Sequence, residues 1–192
     1  MDPRWTIRSY LRVIREAWPA EQAERLGLAY RGPADFVLRE GRWWPPARPR
    51  PDLPQGAPRA CYGNSIAGAV LYDLHYVQGY AVSSVVPGLV VPHAWNADRE
   101  GRAVDLTWWP TGMAYLGVEF SVERADDATW NGDADPIDDF NRGWPLLRER
   151  WRGELAESDP EWAPSPMLLA LRARVAGDER EVSRQVRLAE EG

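Results

Sequence analysis

The sequence predicts an α+β fold in which a helix that starts beside Cys61 packs on an antiparallel sheet. Two observations lead to this prediction. Small residues at helical spacing occupy 66–74, and apolar strand-like runs follow them at 75–81, 89–96 and 102–108. The last two runs are joined by Asp98-Arg99-Glu100-Gly101, which is typical of a hairpin turn.

The segment before the cysteine is expected to be helical and then extended. Residues 6–18 have the spacing of an amphipathic helix, and a second short helix is expected over 20–28. Residues 35–39 are predicted to form a strand. Prolines are frequent over 45–58, which predicts a stiff connector leading to Cys61.

The segment after Trp108 is expected to add one strand and several helices. The strand is predicted over 115–122 and an acidic loop over 123–139. Helices are predicted over 145–152, 166–175 and 178–190, with Gly177 as a stop signal. At 192 residues the chain is expected to form one domain, 1–192. It would comprise an N-terminal helical and proline-rich segment (1–54), a core (55–122) and a C-terminal helical extension (140–192).

Composition excludes several classes of protein. All 23 basic residues are arginines, the net charge is −6, and no concentrated basic face of the kind that binds nucleic acid is evident. No apolar run reaches the length of about 20 residues that spans a bilayer, and the N-terminus lacks an apolar signal region. The protein is therefore expected to be cytoplasmic, without a membrane or nucleic-acid partner.

No metal or cofactor is expected. One cysteine and two histidines exclude a Cys/His zinc cage. Asn131, Asp133 and Asp135 alternate as in the first half of a calcium loop. However, Pro136 replaces the glycine of the sixth position and Arg142 replaces the glutamate of the twelfth, so a solvated acidic loop is favoured.

Cys61 is the candidate nucleophile. It precedes the predicted helix, where unpaired backbone N–H groups and the helix dipole lower a thiol pKa. A lone cysteine is more often an inert core residue, but the presence of His93 and Asp105 favours a reactive one here.

The hairpin makes a geometric demand on His93 and Asp105. If the numbers of the paired residues add up to an even number, an even-sum register, His93 and Asp105 share one face of the sheet. Two such registers are expected: 93 opposite 105, or 93 opposite 107 with 95 opposite 105. An odd-sum register would separate them unless a bulge intervened. If they meet, Asp105 should orient the imidazole so that its other nitrogen faces Cys61.

Four motifs in this order resemble the transglutaminase-like branch of the papain-like cysteine enzymes. They are Cys61 at a helix start, HYVQGYA at 75–81, HAWN at 93–96 and GRAVDLTW at 101–108. The resemblance implies a papain-like fold with Cys61 as nucleophile, His93 as general base and acid, and Asp105 as the residue that orients the histidine. It also implies that Trp95 and Trp108 wall the site. The short interval from Cys61 to His93 suits the minimal bacterial and phage members, while His75 replaces the arginine of the family's strand motif and is interpreted as structural.

The donors of the oxyanion hole are less visible. The backbone N–H of Cys61 is one expected donor. Gln55 lies six residues before Cys61, the offset of the oxyanion glutamine in papain-like proteases, although Pro58 intervenes. Tyr62 and Asn64 are the alternatives. Eleven tryptophans favour core and rim packing, with an aromatic peptide groove as the other interpretation.

The predicted function is cysteine-dependent acyl transfer at an amide of a protein or peptide substrate. Hydrolysis, as a peptidase, amidase or deamidase, is favoured over transglutamination because no amine site is visible. A non-catalytic peptide-binding module on the same fold is one alternative, which intact Cys61, His93 and Asp105 argue against. Another is a toxin or effector that modifies a host protein through this site. The oligomeric state is left open.

Overall fold

A five-stranded antiparallel sheet with helices around it forms an α+β fold. The computed structural model describes residues 2–48, 50–131, 135–153 and 163–191. The helices there are α1 (Pro3–Ala17), α2 (Ala20–Arg25), α3 (Pro33–Glu40), α4 (Cys61–Tyr72), α5 (Val122–Trp130), α6 (Pro145–Arg148), α7 (Pro166–Ala176) and α8 (Glu179–Glu191). The strands are β1 (Arg42–Trp44), β2 (His75–Val82), β3 (Val90–Ala97), β4 (Ala103–Val104) and β5 (Ala114–Phe120).

The sheet has the strand order β1-β5-β2-β3-β4 and curls until its two edges meet. The chain that leaves β1 reaches β4, where the Ala103 N–H donates to Pro45 O and the Ala47 N–H donates to Ala103 O, both at 2.8 Å. Pro46 and Ala103 form a parallel bridge at the same place. The proline-rich connector, apart from Pro49, which lies outside the described residues, therefore closes the sheet before it runs on to Cys61.

The two faces of the sheet carry separate apolar clusters, because side chains alternate along each strand. On one face Tyr76 and Tyr80 of β2 pack with residues of α1, α3 and α4. On the other face Trp95 and Tyr115 are fully buried with Val77 inside the curl of the sheet. Helix α4 and the inside of the curl thus lie on opposite sides of β3.

The strand predicted over 35–39 is wrong, since these residues belong to α3. Pro33 occupies the first turn, and Gly32 precedes it with φ 85°. Asp35 is buried, and its carboxylate accepts from the Arg31 N–H (3.0 Å) and the Arg39 guanidinium (3.0 Å). This hydrogen bond at the start of the helix and the i,i+4 ion pair stabilise the helix, and Val37 is the one β-branched residue of the segment that favours a strand.

The loop predicted over 123–139 is wrong in its first half, where α5 forms. Ser121 caps this helix by accepting from the Arg124 N–H (3.2 Å), and Ala125 and Ala128 are buried against the body of the protein. The helix predicted over 145–152 is confined to Pro145–Arg148. Helices α1, α7 and α8 confirm the predicted ones, and α7 ends at Gly177 in the left-handed conformation.

The strands β2, β3 and β5 lie where the sequence predicts them, but the strand predicted over 102–108 is wrong beyond Val104. At Asp105 the chain turns, because the side chain accepts from the N–H groups of Thr107 and Trp108, both at 2.9 Å. Among the described residues, no helix is long and apolar enough to cross a membrane.

Candidate active site

Cys61 is the first residue of α4 and is half-buried. The residue before it, Ala60, makes no side-chain cap, and the first helical hydrogen bond runs from the Asn64 N–H to Ala60 O (2.8 Å). The N–H groups of the first turn therefore have no helical acceptor. One of them, the Tyr62 N–H, points at the Cys61 sulfur.

Asn64 fixes the loop that precedes α4. Its Nδ2 donates to Ala57 O (2.7 Å) and Thr107 Oγ1 (2.9 Å), while its Oδ1 accepts from the Ala57 N–H (3.1 Å). Both amide hydrogens are used, so this side chain has no donor left for a substrate oxygen in this conformation. It instead ties the start of α4 to the segment that follows Asp105.

The register of the β3–β4 hairpin confirms the even-sum prediction. Asn96 pairs with Val104 and Ala97 with Ala103, which corresponds to the second of the two expected registers. The strand ends before Asp105, yet the side chain stays on the His93 side: His93 Nε2 lies 2.8 Å from Asp105 Oδ2. Both side chains are buried.

The Asp105 carboxylate is held by four hydrogen bonds. Oδ1 accepts from the N–H groups of Thr107 and Trp108, and Oδ2 accepts from His93 and from the Tyr115 hydroxyl (2.8 Å). The Tyr115 oxygen in turn accepts from the Gly112 N–H at 2.6 Å. Sequence reasoning missed Tyr115, because its contact depends on how β5 pairs with β2 inside the curl.

Cys61 and His93 meet around the free edge of β3. Strand β4 covers this edge only at Asn96 and Ala97. Farther along, the Ala94 N–H is left unpaired by β4, and it lowers the pKa of the Cys61 thiol. Because Nε2 of His93 is occupied by Asp105, Nδ1 is the nitrogen available to the Cys61 thiol, whose pKa His93 lowers.

The three groups of the site shift one another's pKa values toward their charged forms. Burial raises the pKa of the Cys61 thiol, but the hydrogen bond and positive charge of His93 and the N–H groups of Ala94 and Tyr62 lower it below its ordinary value. Burial lowers the pKa of His93, but Asp105 and Cys61 raise it to about 9. Burial raises the pKa of Asp105, whereas His93 and the two backbone donors lower it. These interactions shift the balance toward thiolate, imidazolium and carboxylate.

Trp108 and Trp95 occupy different positions around His93. Trp108 is partly exposed, and its ring stacks on the imidazole with centroids 4.2 Å apart and an interplanar angle of 19°. Trp95 is fully buried inside the curl, with its ring centroid 6.4 Å from that of His93. Trp108 can therefore contact a bound substrate in this conformation, whereas Trp95 packs near His93 on the buried side, inside the curl of the sheet.

The remaining sequence candidates lie on either side of this centre. Gln55 is exposed and lines a cavity of about 270 Å³ together with Trp108 and Ser83. The Tyr62 side chain points away from that cavity, since its hydroxyl donates to Asp135 Oδ2 (3.1 Å). His75 is not part of the site, because its Nδ1 lies 2.7 Å from Glu119 Oε1 at the surface.

A second polar cluster lies behind Cys61 and was missed by sequence reasoning. Asp135 accepts from Tyr62 and Gln78 and from the N–H groups of Ile137 (3.0 Å) and Asp138 (2.8 Å). Burial raises the pKa of the Asp135 carboxyl. The one signal for this cluster was a glutamine within an otherwise apolar strand.

The residues considered for calcium do not come together as ligands. Asn131 donates to Asp127 Oδ1 (3.0 Å), Asp135 is turned into the cluster just described, and Asp133 lies outside the described residues. Across the described ranges, no three His, Cys, Asp or Glu side chains are grouped as metal ligands would be.

The centre can generate a nucleophilic sulfur, supply a proton and hold the proton donor in place. Cys61 provides the sulfur, His93 the proton, and Asp105 the orientation. The N–H groups at the start of α4 lie beside the sulfur. Comparison with protein-family models, with curated proteins and with solved structures found no match for the chain.

Proposed function

We propose that the protein is a cysteine-dependent acyl-transfer enzyme that acts on an amide of a protein or peptide, with a papain-like architecture of the transglutaminase-like type. The proposal is carried by the position of His93: its Nε2 lies 2.8 Å from Asp105 Oδ2, and its imidazole lowers the pKa of the Cys61 thiol. An inert buried cysteine has no need of a lowered pKa or of an oriented imidazolium.

In the first half of the reaction, the Cys61 thiolate attacks the carbonyl carbon of the amide. The carbonyl oxygen becomes an oxyanion, which the N–H groups at the start of α4 are placed to stabilise. The tetrahedral intermediate collapses as the carbon–nitrogen bond breaks. The amine leaves with the proton of His93 Nδ1, and a thioester on Cys61 remains.

In the second half, His93 is neutral and acts as the general base. It takes a proton from water as the water oxygen attacks the thioester carbon. Breakdown of the second intermediate releases the carboxylic acid and restores the thiolate and the imidazolium. Asp105 stays ionised throughout and stabilises the imidazolium with its short hydrogen bond.

Water is the favoured acceptor of the acyl group. Trp108 covers one face of the imidazole but is itself partly exposed, so it does not close the site to solvent. Transfer to an amine instead of water would use the same thioester. Incubation of the protein with a cell lysate and a small labelled amine, followed by intact-mass analysis, separates the two routes.

Alkylation tests the proposal itself. Iodoacetamide should modify Cys61 at neutral pH much faster than it modifies a free cysteine, and His93→Ala should slow the reaction. If Cys61 reacts no faster than a free thiol and His93→Ala leaves the rate unchanged, the proposed chemistry is wrong.

A further inference from the structure

Two loops beside the candidate active site expose large apolar side chains, and two of these, Val85 and Trp109, line one cavity. Val85, Val86 and Leu89 lie on the β2–β3 loop, and Trp109 and Met113 lie on the segment before β5. Their exposed fractions run from 43 % for Leu89 to 69 % for Val85. We name these five side chains the apolar rim. Contiguous exposed apolar surface on a water-soluble domain usually marks a binding site.

The apolar rim is held by ordered hydrogen bonds. Ser83 Oγ accepts from the N–H groups of Val85 (3.1 Å) and Val86 (3.0 Å), and the Ser83 N–H donates to Leu89 O (2.9 Å). The two loops are joined where Ser84 Oγ donates to Pro110 O (3.3 Å). A surface that is already ordered loses less conformational entropy when it binds a partner.

The apolar rim also lies in a stretch without charge. Residues 74–97 and 106–118 contain no Asp, Glu, Lys or Arg, although 27 % of the chain is charged. The exposed apolar residues Trp5 and Val13 of α1 differ, because Arg4, Arg8 and Arg12 are interspersed among them. Isolated apolar residues among charges are ordinary surface. Trp109 also lines a second cavity, on the side where Arg48 and Arg50 lie. The cavity that Trp109 shares with Val85 has no charged side chain among the described residues of its lining.

Two side chains of the apolar rim share a cavity with Trp108, which contacts His93. Trp109, Val85 and Trp108 line the same cavity of about 270 Å³, and Trp108 stacks on His93. The Trp108 ring therefore lies between a polypeptide bound on the apolar rim and the His93 imidazole. The occupant that this shared cavity favours is part of the substrate itself.

We infer that the apolar rim is a substrate subsite, which binds an uncharged apolar stretch of the polypeptide next to the amide that reacts with Cys61. This inference rests on the proposed function and adds the class of substrate. Polypeptides whose reactive amide is flanked by residues such as Val and Leu would be preferred over those flanked by Ser and Asn.

Competition between two peptide electrophiles tests the inference. The probes are chloroacetyl-Val-Leu-amide and chloroacetyl-Asn-Ser-amide, together with the chloromethyl ketones of acetyl-Val-Leu-Ala and acetyl-Ser-Asn-Ala for the opposite chain direction. In at least one direction the apolar probe should label Cys61 about tenfold faster or more, as burial of one or two side chains predicts. Val85→Ser combined with Trp109→Ser should bring the ratio of the two rates close to one.

The ratio is measured on each variant separately, so a change in thiol reactivity cancels. The matched control is Trp5→Ser combined with Val13→Ser, which removes the same residue types at 57 % and 67 % exposure from α1 and should keep the ratio. Equal rates for both probes in the unmodified protein, with rapid iodoacetamide labelling, would overturn the subsite and leave the proposed function standing. Slow iodoacetamide labelling that His93→Ala does not alter would remove both.

A lipid surface is the competing occupant. Flotation with vesicles of phosphatidylcholine and phosphatidylglycerol distinguishes it. Binding to these vesicles that is lost in the Val85→Ser, Trp109→Ser variant and kept in the α1 control would overturn the peptide subsite. Absence of flotation together with the tenfold preference would support it.

Discussion

Replacement of Asp105 by asparagine should remove the charge that keeps His93 protonated. In the folded protein the pKa of His93 is raised to about 9 from an ordinary 6.5, and the Asp105 hydrogen bond is the largest cause that raises it. Without that carboxylate, burial favours the neutral ring and only Cys61 opposes it, so the pKa of His93 should fall. The pKa of Cys61 should then rise, because burial raises it and the imidazolium no longer opposes that effect.

The size of the change in alkylation rate follows from the raised and the ordinary pKa of His93. The pKa of His93 lies about 2.5 above its ordinary value, which corresponds to about 3.4 kcal/mol, or about 300-fold in the protonation equilibrium of the ring. Asp105 and Cys61 together supply this stabilisation against the effect of burial. A thiolate of higher pKa is more nucleophilic, with a Brønsted coefficient of about 0.4–0.5, which returns about tenfold. The alkylation rate at pH 6 should therefore fall, by up to about 30-fold if the whole stabilisation of the imidazolium is lost.

The assay is the rate of iodoacetamide labelling from pH 4 to pH 10, followed by intact mass. The Asp105→Asn profile should rise at higher pH than that of the unmodified protein. Asp98→Asn is the matched control, since Asp98 is a buried aspartate in the same hairpin that pairs with Arg102 instead of His93. Superimposed profiles for Asp105→Asn and the unmodified protein, with both folded, would refute the role assigned to Asp105.

Two further predictions concern stability. Between pH 6.5 and about 9 the raised pKa of His93 makes stability fall as pH rises, while the lowered pKa of Cys61 opposes this. The Cys61→Ala variant lacks the opposing thiol, so its free energy of unfolding should be lower at pH 9 than at pH 6. Urea unfolding at the two pH values measures this difference, and equal free energies would contradict the prediction. Gly68→Ala should cost about 1–3 kcal/mol, because its Cβ would lie 2.2 Å from Asn96 Oδ1. The control Gly63→Ala has nothing within 4 Å and should gain about 0.5–1 kcal/mol of helix propensity, and equal urea midpoints would count against this packing.

The hairpin that carries His93 and Asp105 was predictable because its determinants are local. Four residues from Asp98 to Gly101 fix the turn, and the turn fixes which side chains share a face. The helix at Cys61 was predictable for a similar reason, because small residues such as Gly68 allow close approach to β3. The roles of these residues in catalysis remain proposals for the experiments above.

The contacts that complete the site were not predictable, because they join segments far apart in the sequence. Tyr115 reaches Asp105 only after β5 has paired with β2, and Asp135 reaches Tyr62 from beyond α5. The strand expected at Asp35 failed for a local reason, since a buried carboxylate cap outweighed the apolar pattern. Hydrogen bonds of polar side chains, to other side chains at Tyr115 and Asp135 and to backbone at Asp35, account for these differences, and hydrophobic periodicity does not detect them.

Closure of the sheet by Pro45, Ala47 and Ala103 has a consequence for the order of folding. The β2–β3 pair joins neighbours in sequence and can form early, whereas β1 and β5 are separated by most of the core and must pair late. The segment that positions Asp105 is tied to that late event through Ala103. In a nascent or partly unfolded chain Cys61 would therefore remain a protonated thiol that reacts slowly. The thiol would become a reactive nucleophile only when the fold is complete.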